Sequence, residues 1–306
     1  MRKAAILVIS ILAFVAPGGA EGPRVPPPGL REKFLSLAEG LPAFPEGLAW
    51  ESPSVAGADA EKLEPWLSYY RYDPKVRMVY GSFSDSRAPE RRLFGLAALP
   101  PDPRGTVIFL HGYLEHLGGN LDVLRELASR GYAVAGFDLP GHGLSEGLRG
   151  DIGDFSEYAS ALETFVSICE DNFPKPFHFV GHSTGCAVFL EYAARTGATP
   201  AFRQAIFVAP LVRSRMWQLS HLGLALLPPF VRSLPRWYRP VSSNEDYLRF
   251  VRFGDPLEDR TIAPGWARAL FRWNDRLGGY PVIRRPLTIV QGSDDSVVEF
   301  ESNLPF

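Results

Sequence analysis

Short apolar runs alternate with longer helix-like segments along most of this chain. Apolar residues occupy Thr106–Leu110, Tyr132–Phe137, Phe177–Val180, Gln204–Val208 and Leu287–Val290 almost continuously. Runs of this kind are typical of strands that are buried on both faces of a parallel sheet. Strands that alternate with helices predict an α/β fold with a doubly wound, mostly parallel sheet.

The segments around these runs complete the predicted elements. Leu121–Arg130 and Asp154–Asn172 are expected to be helices, and Gly131 ends the first of them. Upstream, two strands are predicted at Val76–Phe83 and Arg92–Leu99. A polar turn at Ser84–Glu90 is expected to join them.

The first twenty residues have the pattern of a secretory signal. Arg2 and Lys3 form its basic end, Ala4–Val15 its apolar centre, and small residues at 18–20 a cleavage site. The apolar centre is shorter than the about 20 residues that a spanning helix needs, so an uncleaved anchor is the less favoured interpretation. We therefore expect the mature protein to be periplasmic or secreted.

Residues 21–57 are rich in proline and glycine, which predicts an extended N-terminal arm or linker. A short helix is expected over Ala58–Arg71. The remainder, residues 58–306, is long enough for one large domain with a substantial core.

Composition narrows the possible partners. The chain is 46% hydrophobic and 22% charged, and its net charge is −2. Without Arg2 and Lys3, thirty basic residues face thirty-four acidic ones, a net charge of −4, so no overall attraction to nucleic acid is expected. Cys169 and Cys186 are compatible with one disulfide or with two buried thiols. No C-x-x-C motif or histidine pair indicates a metal site.

The segment Phe177–Gly185 joins a predicted strand to the pattern G-x-S-x-G, and a helix-like run, Cys186–Arg195, follows it. A serine on a sharp strand-to-helix turn has a strained backbone, so the residues two before and two after it must be small. The turn places the Ser183 hydroxyl at a helix N-terminus, where free N–H groups favour negative charge. Ser183 is therefore the predicted nucleophile. The alternative is a serine in an ordinary glycine-flanked loop.

A serine nucleophile also needs donors for the oxyanion that forms when it attacks a carbonyl. A backbone N–H just past the strand end at Phe109–His116 can point into the same pocket as the N–H of the residue after the nucleophile. We therefore predict the backbone N–H groups of Tyr113 and Thr184 as the oxyanion donors. His111 is expected to hold its loop through hydrogen bonds of its ring. A simple His-Gly turn is the alternative.

Two further strand ends carry ionisable residues. Asp138 and His142 lie in a tight loop after the strand that ends at Phe137, and both are expected to be structural, because this architecture takes its acid and base after the nucleophile. Asp294 and Asp295 follow the last predicted strand, where the Ser…Asp/Glu…His order places the carboxylate that orients the base. A surface turn with two solvated carboxylates is the alternative.

Four motifs, HGYLEH, FDLPGHGLSEG, GHSTG and QGSDDSVV, occur here in this order. Together they resemble the monoglyceride lipase, lysophospholipase and serine-aminopeptidase-like group of α/β-hydrolases. The resemblance runs from about Arg92 to the C-terminus. It implies an α/β-hydrolase fold, no cofactor, and a helical lid at about residues 211–262.

The same resemblance assigns residues to roles. Ser183 matches the nucleophile, and Tyr113 and Thr184 match the oxyanion positions. The Gly-x-x-Asp spacing of the group selects Asp295 over Asp294, because the glycine at 292 lies three residues before Asp295.

This chain departs from the group after the acid. The group places its catalytic histidine after one more strand, but all six histidines here precede Asp295. The final strand and helix of the fold are also absent from the sequence. We therefore expect a C-terminally truncated member. A catalytically inactive binding protein is the alternative.

The predicted lid has a basic and aromatic outer part. The stretch Leu211–Ser243 contains no carboxylate and five arginines, namely Arg213, Arg215, Arg232, Arg236 and Arg239. Such an amphipathic stretch suits docking on an anionic membrane, with an ordinary cap over the pocket as the alternative.

The expected function is hydrolysis of carboxylic esters of lipid-like substrates, of the monoacylglycerol or lysophospholipid class, through an acyl-enzyme on Ser183. An amidase or peptidase on the same machinery is the alternative activity.

Overall fold

A seven-stranded sheet forms the centre of the computed structural model, which describes residues 25–45, 60–71, 76–197, 202–239, 241–283 and 286–303. The sheet strands are β1 (Arg77–Asp85), β2 (Ala88–Leu99), β3 (Thr106–Leu110), β4 (Ala133–Phe137), β5 (Phe177–His182), β6 (Phe202–Val208) and β9 (Leu287–Val290). Two further short strands, β7 (Leu234–Pro235) and β8 (Thr261–Ile262), pair with each other outside this sheet.

The strand order across the sheet is β1-β2-β4-β3-β5-β6-β9. The β1–β2 and β2–β4 pairs are antiparallel, and the other four pairs are parallel. A mostly parallel sheet that alternates with helices along the chain confirms the predicted α/β class.

Helices cover both faces of the sheet. The helices are α1 (Leu30–Ala38), α2 (Ala60–Tyr69), α3 (Leu121–Ser129), α4 (Phe155–Asn172), α5 (Thr184–Thr196), α6 (Trp217–Leu226), α7 (Glu245–Arg249), α8 (Pro264–Leu277) and α9 (Phe300–Asn303), with a π-helical turn at Phe250–Gly254. Side chains of α4, α5 and α8 belong to one core cluster, and those of α1, α2 and α3 belong to another. Among the described helices, none combines the length and the apolar character that crossing a membrane requires.

Local chemistry sets the start of α4. Asp154 is its N-cap: the carboxylate accepts from Ser156 N at 2.9 Å, and the Glu157 carboxylate accepts from Asp154 N at 3.1 Å. This reciprocal capping box satisfies backbone donors that the first turn of a helix leaves free.

The prediction of an extended N-terminal arm is wrong over α1. Phe34 is only 1% exposed and lies against the rings of Tyr69 and Tyr70 at the end of α2. The helix forms because Leu30 and Phe34 repeat at helical spacing, which outweighs the surrounding prolines and glycines. The predicted signal, residues 1–20, lies outside the described residues, as do residues 21–24 and 46–57 of the arm.

The hairpin turn is shorter than the predicted Ser84–Glu90. The β1 strand continues to Asp85, which pairs with Ala88 at the start of β2. The buried Asp85 carboxylate accepts from Ser160 Oγ at 2.7 Å and from Arg87 N at 3.1 Å, and these bonds close the turn. The strands are therefore joined by a tight hairpin turn, although polar residues surround it in the sequence.

The two cysteines are buried free thiols on α4 and α5. Burial raises the pKa of both Cys169 and Cys186. The Cys186 thiol lies 3.0 Å from Gly181 O, so it packs within the turn between β5 and α5.

Candidate active site

Ser183 occupies a strained turn between β5 and α5. Its backbone has φ 48° and ψ −109°, a conformation that side-chain-bearing residues rarely adopt. Ser183 N donates to Val208 O at 2.9 Å, and Ser183 O accepts from Cys186 N at 3.0 Å and Leu211 N at 3.2 Å. Neighbouring segments therefore hold the strained residue from several sides.

The glycines of the G-x-S-x-G pattern have no room for a side chain. A Cβ on Gly185 would lie 2.5 Å from Leu110 O, and a Cβ on Gly181 would lie 3.0 Å from Cys186 N. Both distances are shorter than an ordinary carbon contact. The close approach of α5 to β3 therefore requires glycine at 185, and the tight turn from β5 into α5 favours glycine at 181.

The two predicted oxyanion donors lie on either side of the serine. Thr184 is the first residue of α5, and Tyr113 follows the end of β3, which pairs with β5. Neither backbone N–H donates to any other backbone group among the described residues. An N–H at the start of a helix has no intrahelical acceptor, so the Thr184 N–H is available to an anion.

The side chain of Tyr113 anchors the loop that follows β3. Its hydroxyl donates to Gly150 O at 2.7 Å and accepts from Ala263 N at 3.2 Å. Its ring stacks on Trp266 with 3.7 Å between centroids. Burial raises the pKa of Tyr113, so the hydroxyl stays protonated and keeps donating.

A buried ion pair that the sequence did not predict connects the Tyr113 loop to the serine turn. The Glu115 carboxylate lies 2.9 Å from His182 Nδ1 and accepts from Gly112 N at 2.9 Å. Burial alone would raise the pKa of Glu115, but the His182 charge outweighs it and lowers this pKa to about 2. For His182, burial alone would lower the pKa. The negative charge of Glu115 outweighs burial, so the pKa of His182 is raised.

Asp295 lies in the turn after β9 and is partly buried, whereas Asp294 is exposed. Asp295 Oδ1 accepts from Val297 N at 2.8 Å and from Val298 N at 2.9 Å, and Oδ2 accepts from Gln291 Nε2 at 3.0 Å. Its charge is one of the contributions that raise the pKa of His182. The carboxylate is thus held at the same edge of the sheet as the serine turn.

His111 holds its loop through both ring nitrogens. Nε2 accepts from Leu139 N at 2.9 Å, so Nδ1 carries the proton that it donates to Gly112 O at 2.8 Å. Burial lowers the pKa of His111 to about 4, which keeps the ring neutral.

Asp138 and His142 are bound within their own loop. The Asp138 carboxylate accepts from Leu117 N at 2.6 Å and Leu144 N at 2.8 Å, and His142 Nδ1 lies 3.0 Å from Pro140 O. Both side chains are fully buried. These contacts give both residues a structural role.

A buried polar cluster joins the base of the predicted lid to the body of the protein. His116 Nε2 lies 2.9 Å from Asp255 Oδ2, and the Tyr70 hydroxyl donates to Asp255 Oδ1 at 2.7 Å. Glu258 pairs with Arg236. His116, Asp255 and Glu258 are spaced closely enough to surround a metal ion. The chain itself provides partners for these groups, however. Arg236 pairs with Glu258, although burial outweighs Arg236 and raises the pKa of Glu258 to about 8, and Asp255 outweighs the effect of burial and raises the pKa of His116 to about 9. A cation would have to displace both.

The outer part of the predicted lid is exposed and apolar. Helix α6 has no buried residue. The exposed fraction of its Leu226 is 75%, and the fractions are 80% for Phe230 and 86% for Trp237 in the segment that follows. Exposed apolar surface of this extent is typical of an interaction surface.

The five arginines of the lid differ in their environments. The expectation that they form one solvent-facing set is wrong for Arg236, whose side chain is only 18% exposed and is paired with Glu258. Arg239 donates to Ser296 O at 2.6 Å, and Arg213 Nε lies 3.4 Å from Asn274 Oδ1. Within the described part of the chain, the exposed guanidinium groups of Arg215 and Arg232 bind no other side chain.

A protein-family model described as serine aminopeptidase, S33, matches residues 101–304, about two thirds of the chain. The chain belongs to this family. The described residues before Pro101, including α1 and α2, lie outside the match, so the cluster around Tyr70 combines residues inside the matched range with residues before it.

Curated relatives match parts of this family member. A monoacylglycerol lipase of Mycolicibacterium smegmatis is 38% identical over 95 residues, which cover 31% of this chain and 34% of the lipase. The phospholipase YtpA of Bacillus subtilis is 24% identical over 205 residues, 64% of this chain and 78% of that enzyme. The chain thus spans about a third of the length of the mycobacterial lipase.

Solved structures share the fold. A monoacylglycerol lipase of Paleococcus ferrophilus superposes with a TM-score of 0.58 at 24% identity, covering 69% of this chain and 82% of that one. A monoglyceride lipase of Saccharomyces cerevisiae, in complex with a substrate analogue, gives a TM-score of 0.60 at 19% identity, covering 71% and 77%. At these identities the likeness establishes the α/β-hydrolase fold.

Sequence reasoning missed Glu115 and His182 as partners. The available signal was two ionisable residues beside two buried strand ends, where an unpaired charge is costly. The cluster of Tyr70, His116 and Asp255 had no such signal, because Tyr70 and Asp255 are 185 positions apart.

The Glu115–His182 pair predicts a pH-dependent stability difference. A carboxyl group whose pKa is lowered from 4.5 to about 2 on folding stabilises the fold above pH 4.5, and this contribution is lost as the pH falls toward 2. Glu115→Gln should therefore lower the free energy of unfolding at pH 7, and the difference from wild type should shrink between pH 4.5 and 3. Urea unfolding at several pH values measures it.

The control is Glu126→Gln on the surface of α3, where the carboxylate makes an i,i+4 pair with Arg130. Its effect should stay within about 0.5 kcal/mol throughout. A Glu115→Gln difference that persists unchanged at pH 3 contradicts the prediction.

Proposed function

We propose that this protein is a serine hydrolase that cleaves carboxylic esters of lipid-like substrates, of the monoacylglycerol or lysophospholipid class. The observation that carries the proposal is the strained Ser183 at the start of α5, together with the N–H groups of Thr184 and of Tyr113 after the neighbouring strand β3. Neither N–H donates to another backbone group among the described residues. Membership of the serine aminopeptidase S33 family supports the same reaction class.

The geometry supports a two-step acyl transfer. Ser183 Oγ adds to the ester carbonyl, and the Tyr113 and Thr184 N–H groups donate to the oxyanion. Collapse of the tetrahedral intermediate breaks the C–O bond and releases the alcohol, which takes up a proton. Water then hydrolyses the acyl-enzyme on Ser183 by the same sequence of steps.

Asp295 is assigned as the carboxylate that orients the base. Its position beyond β9, at the sheet edge that carries Ser183, supports this role. The base itself is not assigned, because every histidine of the sequence precedes Asp295. Of these, His182 is adjacent to the serine, but its Nδ1 is bound to Glu115.

Lipid-like substrates are favoured by the relatives and by the lid. The relatives carry the names monoacylglycerol lipase and phospholipase, and exposed apolar side chains cover the predicted lid, residues 211–262. An amidase or peptidase remains the second candidate, because the same acyl transfer cleaves amides and the family is described as an aminopeptidase family. A binding protein without turnover is the third, since the base is unassigned.

The lid surface supports peripheral contact with an anionic membrane. Leu219, Leu222 and Leu226 of α6 are each more than half exposed, and the exposed Arg215 and Arg232 lie in the segments beside this helix. Apolar residues that enter the lipid interface beside cations that meet anionic headgroups are the pattern of an interfacial helix. The signal pattern of residues 1–20 supports a periplasmic or secreted location.

Ser183→Ala tests the nucleophile. In an active chain it should abolish labelling by a fluorophosphonate probe, because the probe reacts with an activated serine oxygen. Gel fluorescence measures the labelling, and an unchanged circular dichroism spectrum shows that the variant is folded. Persistent labelling of Ser183→Ala would place the nucleophile elsewhere, and an unlabelled wild type would favour the binding protein.

Added imidazole tests the assignment of the base. Without a histidine base, the chain should hydrolyse a short-chain ester slowly, since loss of a triad member leaves only about 10³–10⁴-fold catalysis over water. With imidazole added, the rate of wild type should exceed the rate of Ser183→Ala. The rate of Ser183→Ala measures the reaction of imidazole with the ester in solution. Ordinary enzyme rates without imidazole would show that another group of this chain is the base.

The lid arginines predict binding to charged vesicles. Arg215→Gln with Arg232→Gln should weaken binding to phosphatidylserine vesicles by about 2 kcal/mol, because each basic residue near the surface contributes about 1 kcal/mol. That loss is roughly thirtyfold in affinity. Vesicle sedimentation measures it, and the loss should fade as salt screens the charges.

The matched control is Arg104→Gln with Arg203→Gln, which removes two exposed charges at the amino-terminal edge of the sheet. It should bind like wild type. Equal binding to phosphatidylserine and phosphatidylcholine vesicles would indicate an ordinary cap over the pocket instead.

A further inference from the structure

A single carboxylate connects the two chain segments that carry Ser183 and Tyr113. Glu115 Oε2 accepts from Gly112 N at 2.9 Å, and Oε1 lies 2.9 Å from His182 Nδ1. Gly112 directly precedes Tyr113, and His182 directly precedes Ser183. The Glu115–His182 pair therefore lies one residue away from each of two groups that the proposed reaction requires.

The orientation of the Gly112–Tyr113 peptide decides where the Tyr113 N–H points. The cis peptides among the described residues involve other positions, so this peptide is trans, with its C=O and N–H on opposite sides. Gly112 O accepts from His111 Nδ1 at 2.8 Å and from Glu115 N at 3.3 Å. Because the carbonyl is held on that side, the Tyr113 N–H points away from it.

The turn needs these contacts to keep its shape. Leu114 has φ 67°, a left-handed conformation that glycine adopts easily and leucine only at a cost in free energy. The Glu115 carboxylate closes the turn by binding Gly112 N across it. A Cβ on Gly112 would lie 3.0 Å from His182 Nδ1, so the ion pair packs directly against this glycine.

The charges of the pair also suit a site that must accept an anion. An unpaired carboxylate close to the oxyanion would oppose its formation, but the His182 imidazolium neutralises Glu115. The pair is mostly buried, with side-chain exposures of 19% for Glu115 and 33% for His182, so solvent screens it only in part.

Resting on the function proposed above, we propose that Glu115 is a positioning residue. Its carboxylate, bound to His182, holds Gly112 by the backbone N–H, and this fixes the residue from which the Gly112–Tyr113 peptide extends, so that the Tyr113 N–H donates to the oxyanion formed on Ser183. Glu115 itself touches neither substrate nor reacting atoms. Its loss should therefore weaken the tetrahedral adduct and leave ground-state binding of the acyl chain unchanged.

Binding of an alkylboronic acid to the full chain tests this role and does not require turnover. Ser183 Oγ adds to the trigonal boron and its proton passes to solvent, which leaves a tetrahedral boronate anion in place of the reaction intermediate. Calorimetry and ¹¹B NMR measure the affinity, and Ser183→Ala shows whether the adduct is covalent. The alkylamide of equal chain length reports ground-state binding.

Glu115→Ala should weaken the boronate about tenfold to hundredfold, somewhat less than the about 10²–10³ lost when an oxyanion donor is removed outright. Glu115→Gln should recover part of the loss, because the amide oxygen still accepts from Gly112 N. The matched control is Glu191→Ala, which removes another buried carboxylate, one that accepts from Tyr280. It should bind boronate within twofold of wild type, and alkylamide affinity should stay within twofold in every variant.

The outcomes separate the two proposals. Wild-type binding that is absent, or that survives in Ser183→Ala, overturns the proposed function and this role with it. Serine-dependent binding that Glu115→Ala leaves unchanged overturns only the positioning role, and so does an equal loss of alkylamide affinity. If Glu115→Ala does not fold, as judged by thermal melting, Glu115→Gln and His182→Asn decide, and both must weaken the boronate selectively.

Discussion

The close approach of α5 to β3 is the constraint on which the rest of the site depends. A Cβ on Gly185 would come within 2.5 Å of Leu110 O, so the helix lies directly against the end of the neighbouring strand. The chain reaches this position only by the strained turn at Ser183, whose backbone groups bind Val208 and Leu211. Ser183, the loop after β3 and the loop after β6 are therefore held in one fixed relation.

Above this edge of the sheet, poorly solvated charges act together with apolar contacts to fix where the loops lie. Glu115 pairs with His182, and Asp255 binds both His116 and Tyr70. Removing one partner of such a pair leaves the other charge in a poorly solvated site without compensation, which destabilises the loop. A loop held in this way keeps its backbone N–H groups in one orientation, which a preorganised oxyanion site requires.

The lid segment has two parts with opposite character. Its base is buried, and Asp259 pairs there with both Arg31 of α1 and Arg149. Its outer part exposes Phe230 and Trp237 almost completely. Arg31 lies before the range that the family model matches, so a segment outside that range contacts the base of the predicted lid. A firmly held base beneath an exposed apolar surface suits a cap that meets a lipid interface.

The sequence by itself determined the α/β class, the bounds of β3 and β9, and the need for glycine on both sides of Ser183, because hydrophobic period and turn chemistry act over a few residues. The predictions from the sequence were wrong for α1 and for the β1–β2 turn. Proline, glycine and polar residues there indicated irregular structure, whereas tertiary packing stabilises a helix and a tight hairpin. Only the tertiary structure decided that Glu115 pairs with His182, 67 positions away, and that Arg236 pairs with Glu258 while Arg232 is exposed. The physical reason is that the pairing of charges depends on which distant segments the fold brings together.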